Sequence, residues 1–464
     1  MDTESISERA SGLHRGLTKT QLVMIGLGGA IGTGLFLGSG LAIGYAGPAV
    51  IASFAIAGFV AVVMVFSLSE MAVVHPTAGS FGTYAETYLN PWAGFVVRYT
   101  YWIAQVIAIG GEAVAAGLYM QFWFPESPAW LWSLGFCAML LYFNSRSVHN
   151  FGTVESWFAL IKVAAIVLFI VLGAASLLGI GRPAVGFHNL TGLPGGFAPH
   201  GFSGVWQAVV VGVFAFNGIE VIAVTSGEAQ NPQVAIPAAL RVMVVRLFLF
   251  YVLSLAIIVT VIPWTATGVK VVAQSPFVSV FQHSGIRHAA GIMNFVVLSA
   301  ALSSMNTNVY LCSRMLFSLS RGQYAPQRLG RLTGKGVPLA AILSSGACIV
   351  LAAAVSIFTP NAYGYLFGVA LFAAMLVWFI ILLSHLSFRR RHAGEALPVR
   401  MPFFPWMQYA GLLLIAAVEV TMGFDDNLYV SWVYGVPWLI GVSAAYFLWK
   451  ARRRVAVAPT VLSR

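Results

Sequence analysis

Glu112, Lys162 and Glu220 are ionisable residues that lie inside long apolar segments of the sequence. A charged side chain is costly in such a segment and is usually kept for a function. Each carboxyl group could gain and lose a proton in the working pH range, which favours a role in proton coupling; the alternative is a structural acid that stays hydrogen-bonded. Glu70 and Glu228 lie nearer the ends of their segments, which is more typical of a gate or of an ion pair that reaches toward the surface.

Lys162 is the one lysine well inside an apolar segment, and a buried ammonium group needs carbonyl or hydroxyl partners. The hydroxyls of Ser303 and Ser304, and the freed carbonyls of an interrupted helix, could supply them. An ammonium group held in this way would do the work of a bound metal cation, and it could release a proton when desolvated. The alternative is an interfacial lysine that extends toward the membrane surface.

The motif Gly28-Gly-Ala-Ile-Gly-Thr-Gly-Leu-Phe36 places glycines in the middle of an apolar stretch that is long enough to cross a bilayer. Glycine is a poor helix former, so we expect this helix to open at its midpoint. The N–H groups at Thr33 and Gly34, with the Thr33 hydroxyl, suit a carboxylate. The carbonyls of Ala30 and Ile31 suit an ammonium group, and an α-amino acid carries both. The alternative is close helix packing by small residues.

A second interruption is predicted at Asn217-Gly218, a turn-type dipeptide within another apolar segment. The freed carbonyls of Phe214, Ala215 and Phe216 can accept hydrogen bonds from an ammonium group. Phe214 could stack over a bound side chain and act as a gate, or it could pack against lipid or the core. Asn217 could cap the broken helix or contact the substrate.

The composition places these residues in a membrane protein. Hydrophobic residues make up 59% of the 464 residues and charged residues 8%, which excludes a soluble globular protein. A membrane-spanning helix needs about 18 or more mainly apolar residues. Twelve segments qualify, with centres near residues 33, 60, 107, 136, 165, 216, 250, 303, 348, 375, 414 and 440. The sequence therefore predicts an all-α integral membrane protein with twelve spans, of which spans 1 and 6 are broken.

Each of the two broken spans is the first of five consecutive spans. Interrupted segments at matching places in two halves indicate an inverted-repeat transporter with a binding site near the middle of the membrane. Spans 1–5 and 6–10 then form the repeats, and spans 11 and 12 lie outside them. Cys137, Cys312 and Cys348 fall in separate predicted helices without metal-ligand spacing, and no activated nucleophile is visible. We therefore expect no metal, no cofactor and no enzymatic activity.

The charge distribution predicts the orientation. Of the 25 Lys and Arg residues, three lie in loops on one side (Arg182, Lys270 and Arg287), Lys162 lies within a span, and the other 21 lie at the opposite ends. Such an excess marks the cytoplasmic side, so both termini are predicted to be cytoplasmic, and the net charge of +11 does not indicate nucleic-acid binding. The predicted parts are a cytoplasmic N-terminal segment (1–18), the transporter core (19–388), spans 11 and 12 (389–450) and a cytoplasmic tail (451–464).

Several further motifs are spread along the chain: Ala78-Gly-Ser-Phe81, Tyr119-Met-Gln-Phe-Trp123, Trp157-Phe-Ala-Leu-Ile-Lys162, Gly227-Glu-Ala-Gln-Asn-Pro232, Ser275-Pro-Phe277 and Ser313-Arg-Met-Leu-Phe317. Together with the glycine motif of span 1, they resemble those of the amino acid permeases of the APC superfamily. The resemblance is to the bacterial amino acid transporter family, which includes aromatic, proline, lysine, GABA and D-alanine/glycine permeases. It covers nearly the whole chain.

This resemblance implies a LeuT-type fold, with two inverted repeats of five helices, and uptake of an amino acid driven by protons. It implies that Thr33 and Gly34 bind the α-carboxylate, and that carbonyls around Ala30 and from Phe214 to Asn217 hold the α-amino group. The proton would be the coupling ion, and sodium is not expected.

The same resemblance assigns roles to three side chains: Phe214 as a gate, Lys162 as the replacement for a sodium ion, and Glu112 in substrate or proton binding. Spans 8 and 10 have no spare acidic residue for a cationic side chain, which favours a neutral L-amino acid. Asn217 stands where aromatic and proline permeases tend to have glycine, which disfavours a large aromatic substrate. An exchanger and a non-transporting amino acid sensor remain as alternatives. We expect a lipid-embedded monomer or homodimer in the cytoplasmic (inner) membrane.

Overall fold

The computed structural model describes residues 12–32, 34–180, 183–266, 276–283, 288–358, 362–425 and 428–457. Thr33, the three predicted outer-loop cations (Arg182, Lys270 and Arg287) and the ends of both predicted cytoplasmic tails lie outside these residues. The described part of the chain is helical and contains no strand; one isolated parallel bridge joins Leu17 to Ala229. The all-α prediction is therefore confirmed for the described residues.

The helices follow one another with short connections. They are α1 (Lys19–Ala30), α2 (Ser39–Ala46), α3 (Val50–Val74), α4 (Ser80–Tyr88), α5 (Pro91–Gln121), α6 (Ala129–Arg146), α7 (Val148–Leu177), α8 (His188–Thr191), α9 (Gly201–Ala215), α10 (Val221–Thr225), α11 (Pro232–Phe248), α12 (Ser254–Val261), α13 (Pro276–His283), α14 (Ala289–Arg321), α15 (Leu339–Phe358), α16 (Ala362–Arg391), α17 (Trp406–Met422) and α18 (Val430–Val457). Single π-helical turns, Gly34–Gly38 and Leu249–Leu253, precede α2 and α12.

Local sequence sets where several of these helices begin. Thr18 and Gln21 form a capping box at α1, in which each residue's backbone N–H donates to the other's side chain. The Asn90 side chain caps α5, where Pro91 occupies the first turn, and Ser147 caps α7 in the same way. These caps fix the starts of the helices that carry most of the candidate site.

Seven described helical stretches are long and apolar enough to cross a membrane, and three shorter apolar helices accompany them, where the sequence predicts twelve spans. The difference has physical causes. Predicted spans 1 and 6 are interrupted, and the chain runs helically from Gly34 to Val74, so that part of span 1 merges with span 2. The twelve-span count and the two inverted repeats stay predictions, whereas a multi-pass membrane protein is the coarser conclusion that the helices support.

The arrangement of side chains is that of a bundle in lipid. Large apolar residues on α7 and α18 face outward, including Trp157 and Val171 on α7 and Phe447 and Leu448 on α18. Helix α14 is almost wholly buried and packs against α5, α7 and α15. Because lipid satisfies no polar group, the buried polar residues must find partners on neighbouring helices, and α14 is the helix around which they gather.

We call the end of the bundle that carries Lys19, Arg321 and Arg389 the basic end. Three buried carboxylates are ion-paired near it, and the pairs are Glu86 with Arg98 (3.0 Å), Glu228 with Arg314 (2.7 Å) and Glu70 with Arg389 (3.1 Å) and His385 (3.0 Å). For Glu70 and Glu228 the structure therefore shows ion pairs whose carboxylates are buried and do not reach the surface, and a gating role stays a prediction.

The N-terminal segment crosses the basic end. The Leu17 N–H donates to the Glu228 carbonyl (3.1 Å), and the Gln230 N–H donates to the Leu17 carbonyl (3.0 Å). The Leu17 side chain is fully buried. The segment thus lies across the mouth of the bundle, directly beside the Glu228–Arg314 pair.

Candidate functional site

The first interruption lies where the glycine motif predicts it. Helix α1 ends at Ala30, Ile31 has the non-helical dihedrals φ −93° and ψ 83°, and helical structure resumes as a π-helical turn at Gly34. Thr33 lies between these points, outside the described residues, so its predicted contact with a carboxylate stays a prediction. The backbone at Gly34 begins the second half of the span, as expected for a carboxylate-binding turn.

The second interruption separates α9, which ends at Ala215, from α10, which begins at Val221. Gly218 has φ +102°, a conformation that favours glycine. The Glu220 carboxylate accepts hydrogen bonds from the Gly218 N–H (3.1 Å) and the Tyr101 hydroxyl (2.9 Å). Both of its oxygens are engaged, which is the arrangement of a structural acid that holds this turn.

The two interruptions contact each other through small residues. A Cβ atom added to Gly34 would lie 2.9 Å from the Ala215 Cα, and one added to Gly29 would lie 3.1 Å from the Gly218 carbonyl oxygen. Glycine is therefore required at Gly34 to let the backbones approach. Close packing by small residues, which the sequence offers as an alternative to binding, is present here and is what brings the two interruptions together.

Lys162 is fully buried beneath the first interruption. Its Nζ donates to the Gly28 carbonyl (2.5 Å), the Ile31 carbonyl (2.8 Å) and the Ser303 hydroxyl (2.7 Å). An ammonium group has three donors, and all three are used. Lys162 therefore connects the end of α1 to α14. The sequence predicts that the Ile31 carbonyl binds the ammonium group of the substrate, but this carbonyl accepts a hydrogen bond from Lys162.

Glu155 completes this cluster and was missed by the sequence analysis. Glu155 is fully buried, and its carboxylate accepts hydrogen bonds from the Ser303 hydroxyl and from the Asn306 amide N–H (2.9 Å). The Asn306 side-chain oxygen accepts a hydrogen bond from the Asn144 amide (2.8 Å). Ser303 thus connects Glu155 to Lys162. Glu155 stands seven residues before Lys162, and residues seven apart lie on the same face of a helix. That spacing was the available sequence signal, but Glu155 stands near the predicted end of its span.

A cavity of about 50 Å³ lies where the two interruptions meet. Its walls include six residues that the sequence predicts for the site, namely Gly34, Glu112, Phe214, Ala215, Asn217 and Ser304. Gln105 on α5 and Asn308 on α14 also line it, and the sequence analysis missed both. A single amide in a long helix carries no distinctive sequence signal, so only the packing of α5 against α14 identifies them.

Two residues that line this cavity each have a buried acceptor atom without a hydrogen-bond partner in the described part of the chain: Glu112 Oε2 and Asn217 Oδ1. A buried acceptor left unpaired costs free energy, so both are suited to a ligand that brings N–H or O–H donors. The site therefore has one unpaired acceptor on α5 and one on the second interruption, and the backbone at Gly34 lines the same cavity.

Several groups that the sequence predicts for the site have partners away from the cavity. The Phe216 side chain stacks on Tyr251 with ring centroids 4.3 Å apart and packs near Phe54, away from the cavity. The Ala215 carbonyl accepts from the Tyr251 hydroxyl (2.8 Å). Ser303 and Ser304, predicted to act together, divide their roles, since Ser303 binds Lys162 and Ser304 lines the cavity.

Comparison with known proteins adds an independent finding. The family model described as amino acid permease matches residues 21–458. The chain is similar to the amino acid permease YtnA of Bacillus subtilis, with 39% identity over 442 residues (94% of this chain and 95% of the relative). It is 40% identical over 429 residues to the gamma-aminobutyric acid permease of Bacillus subtilis (91% of each), and 40% identical over 450 residues to the aromatic amino acid transport protein AroP of Escherichia coli K12 (96% and 97%).

Proposed function

The chain belongs to the amino acid permease family, and we propose that it is a secondary active transporter that takes up a neutral L-amino acid together with protons. The proposed location is the cytoplasmic membrane, with both termini in the cytoplasm. Transport would proceed by alternating access around the cavity, within a twelve-span LeuT-type arrangement. The coupling ion in this proposal is the proton, and sodium has no role.

The observation that carries the proposal is the meeting of two helix interruptions at one cavity. The backbone at Gly34 opens a helical segment, whose first N–H groups lack partners within the helix and favour a carboxylate. The unpaired Glu112 and Asn217 oxygens favour donors such as an ammonium group. A free amino acid carries both groups a short distance apart.

The relatives support amino acid transport without selecting one substrate. Two relatives with 40% identity are named for gamma-aminobutyric acid and for aromatic amino acids. Similarity to this chain therefore does not favour one over the other. The cavity itself supports a neutral substrate, because Glu112 is the one charged residue among the described residues that line it.

Proton coupling is proposed for the Lys162–Ser303–Glu155 cluster. When Lys162 is charged, its Nζ donates to the carbonyls at the end of α1 and to Ser303. Loss of a proton removes one of these donors and changes the charge opposite Glu155. Because Gly28 and Ile31 belong to the first interruption, a change in protonation is transmitted directly to the segment that contacts the substrate. A proton taken up here would therefore alter substrate affinity.

Transport into proteoliposomes tests the proposal. Purified full-length protein is reconstituted, and a panel of labelled neutral amino acids is offered with and without an inward proton gradient. We expect at least one neutral amino acid to accumulate only with the gradient. Equal accumulation in both conditions contradicts proton coupling. Uptake that requires internal amino acid indicates an exchanger, and binding without any uptake indicates a sensor.

Glu155→Gln tests the proton cluster. The variant keeps the size of the side chain but removes its charge, so we expect gradient-driven accumulation to fall at least about tenfold, while exchange of internal for external substrate persists. Glu126→Gln, in an exposed loop, is the matched control and should behave as the unmodified protein. Normal gradient-driven accumulation by Glu155→Gln would exclude Glu155 from coupling.

A further inference from the structure

We propose that the substrate's side chain carries an uncharged hydrogen-bond donor, a hydroxyl or a carboxamide, and that Gln105, Asn217 and Asn308 select it. This inference rests on the proposed function, because it names the substrate class of the same cavity. Among neutral amino acids, those with a hydroxyl or carboxamide side chain are predicted to bind and those with an apolar side chain to be rejected.

Three carboxamide side chains converge on the cavity from three elements. Gln105 comes from α5, Asn217 from the second interruption and Asn308 from α14. A carboxamide both donates and accepts hydrogen bonds; the Asn308 amide donates to the Ser304 hydroxyl (3.5 Å), and each of the three can form further hydrogen bonds with a polar side chain but not with an apolar one. Phe214 is the one aromatic residue among the described residues of the lining. A cavity built to bind a purely apolar side chain would be lined mainly by hydrophobic residues.

Asn217 provides the sharpest observation. Its Oδ1 is buried and has no hydrogen-bond partner among the described residues. The second interruption holds Asn217 by its backbone, because the Asn217 N–H donates to the Phe214 carbonyl (2.9 Å). Asn217 lines the cavity on a fixed turn, so a substrate in that cavity is the nearest ligand that could reach its side-chain oxygen. A substrate hydroxyl or amide N–H would satisfy it, whereas an apolar side chain would bury it unpaired.

The same cavity disfavours charged side chains. An acidic side chain would place its carboxylate against the unpaired oxygens of Glu112 and Asn217. A cationic side chain, together with the α-ammonium group, would place two positive charges beside one carboxyl group, that of Glu112. Uncharged polar side chains remain.

Competition between isosteric amino acids tests the inference on the unmodified protein. Threonine and valine have nearly the same shape, and asparagine and leucine are similar in size, so each pair isolates the polar group. We expect threonine and asparagine to inhibit uptake of the labelled substrate at concentrations about tenfold lower than valine and leucine. A difference of about tenfold corresponds to one buried hydrogen bond made or lost. Phenylalanine and glutamate should compete poorly.

Asn217→Ala assigns the preference to a residue. The variant should lose most of the threonine-over-valine preference. Asn294→Ala makes the same change at a buried position on α14, where the Asn294 amide donates to the Tyr119 carbonyl outside the cavity (2.8 Å). That control should keep the full preference even if it is less stable. A preference that Asn217→Ala leaves unchanged contradicts the role of Asn217.

The outcomes separate the two proposals. If no amino acid is taken up or competes, the proposed function is wrong. If amino acids are transported but threonine and valine compete equally, or if aromatic amino acids compete best, the proposed function stands and the polar substrate class is wrong. Uptake with a clear preference for hydroxyl and carboxamide side chains supports both.

Discussion

At the scale of single residues, Lys162 explains how a charge is kept in an apolar interior. Desolvating an ammonium group is expensive unless each of its donors finds an acceptor. Gly28, Ile31 and Ser303 supply three acceptors, and Glu155 supplies a negative partner through Ser303. The cluster joins α1, α7 and α14. The Lys162 side chain therefore stabilises the first interruption, where the regular backbone hydrogen bonds of a helix are lost.

Lys162→Ala should therefore damage both stability and transport. The two carbonyls lose a donor and Glu155 loses its compensating charge, so we expect a loss of about 1–3 kcal/mol in stability and at least about tenfold in uptake. Thermal unfolding in detergent and uptake into proteoliposomes measure the two effects. Lys19→Ala, at an exposed position on α1, is the control. Normal uptake by Lys162→Ala would limit Lys162 to a structural role.

At the scale of elements, the site depends on two broken helices that contact each other at glycine. The Gly34 backbone lies against Ala215, and Gly29 lies against the Gly218 carbonyl. The two interruptions leave free backbone groups, which membrane lipid cannot satisfy, so they must face protein or a cavity. Tyr251, Glu220 and Lys162 take up part of these groups, and Gly34 and Gly218 from the two interruptions line the cavity.

Gly34→Ala tests this contact. The added Cβ would lie 2.9 Å from the Ala215 Cα, and a backbone atom cannot move aside as a flexible side chain can. We expect a loss of about 1–3 kcal/mol in stability and a marked rise in the KM for uptake, because the cavity is reshaped. Gly44→Ala, in α2, meets nothing within 4 Å and should be neutral or slightly stabilising. Equal behaviour of the two variants would contradict the close approach.

At the scale of the whole molecule, the basic end is closed in this conformation. The Glu228–Arg314 pair is buried, the Tyr310 hydroxyl also donates to Glu228 (3.1 Å), and Leu17 bridges the neighbouring backbone. The proposed alternating access requires the cavity to open toward each side in turn. In that cycle, the contacts of Glu228 and Leu17 would have to break for release at the basic end.

Glu228→Gln should weaken this closure. The Arg314 guanidinium would be left buried without its counter-charge, so we expect a loss of about 3 kcal/mol in stability. Cys312, which is fully buried two residues from Arg314, should react faster with a water-soluble maleimide. Glu395→Gln, at an exposed site, is the control. An unchanged melting temperature and an unchanged rate of Cys312 labelling would show that the pair does not close the basic end.

The sequence by itself was sufficient for the membrane class, the helical architecture, the two interruptions and the family. These features follow from composition and local chemistry, since glycine weakens a helix wherever it stands and an apolar run of sufficient length favours a span. The importance of Lys162 was also visible, because a lysine in such a run is unusual whatever its partners are.

Only the tertiary structure decided which side chains meet. Gln105 and Asn308 carry no distinctive local pattern, and Glu155 has only its spacing from Lys162. Each gains its place from the packing of α5, α7 and α14 around the two interruptions. Phe216 illustrates the converse, because it stands beside an interruption in sequence yet faces Tyr251. The direction of a side chain at an irregular turn depends on dihedral angles and neighbours that are distant in the chain, and a local pattern does not contain them.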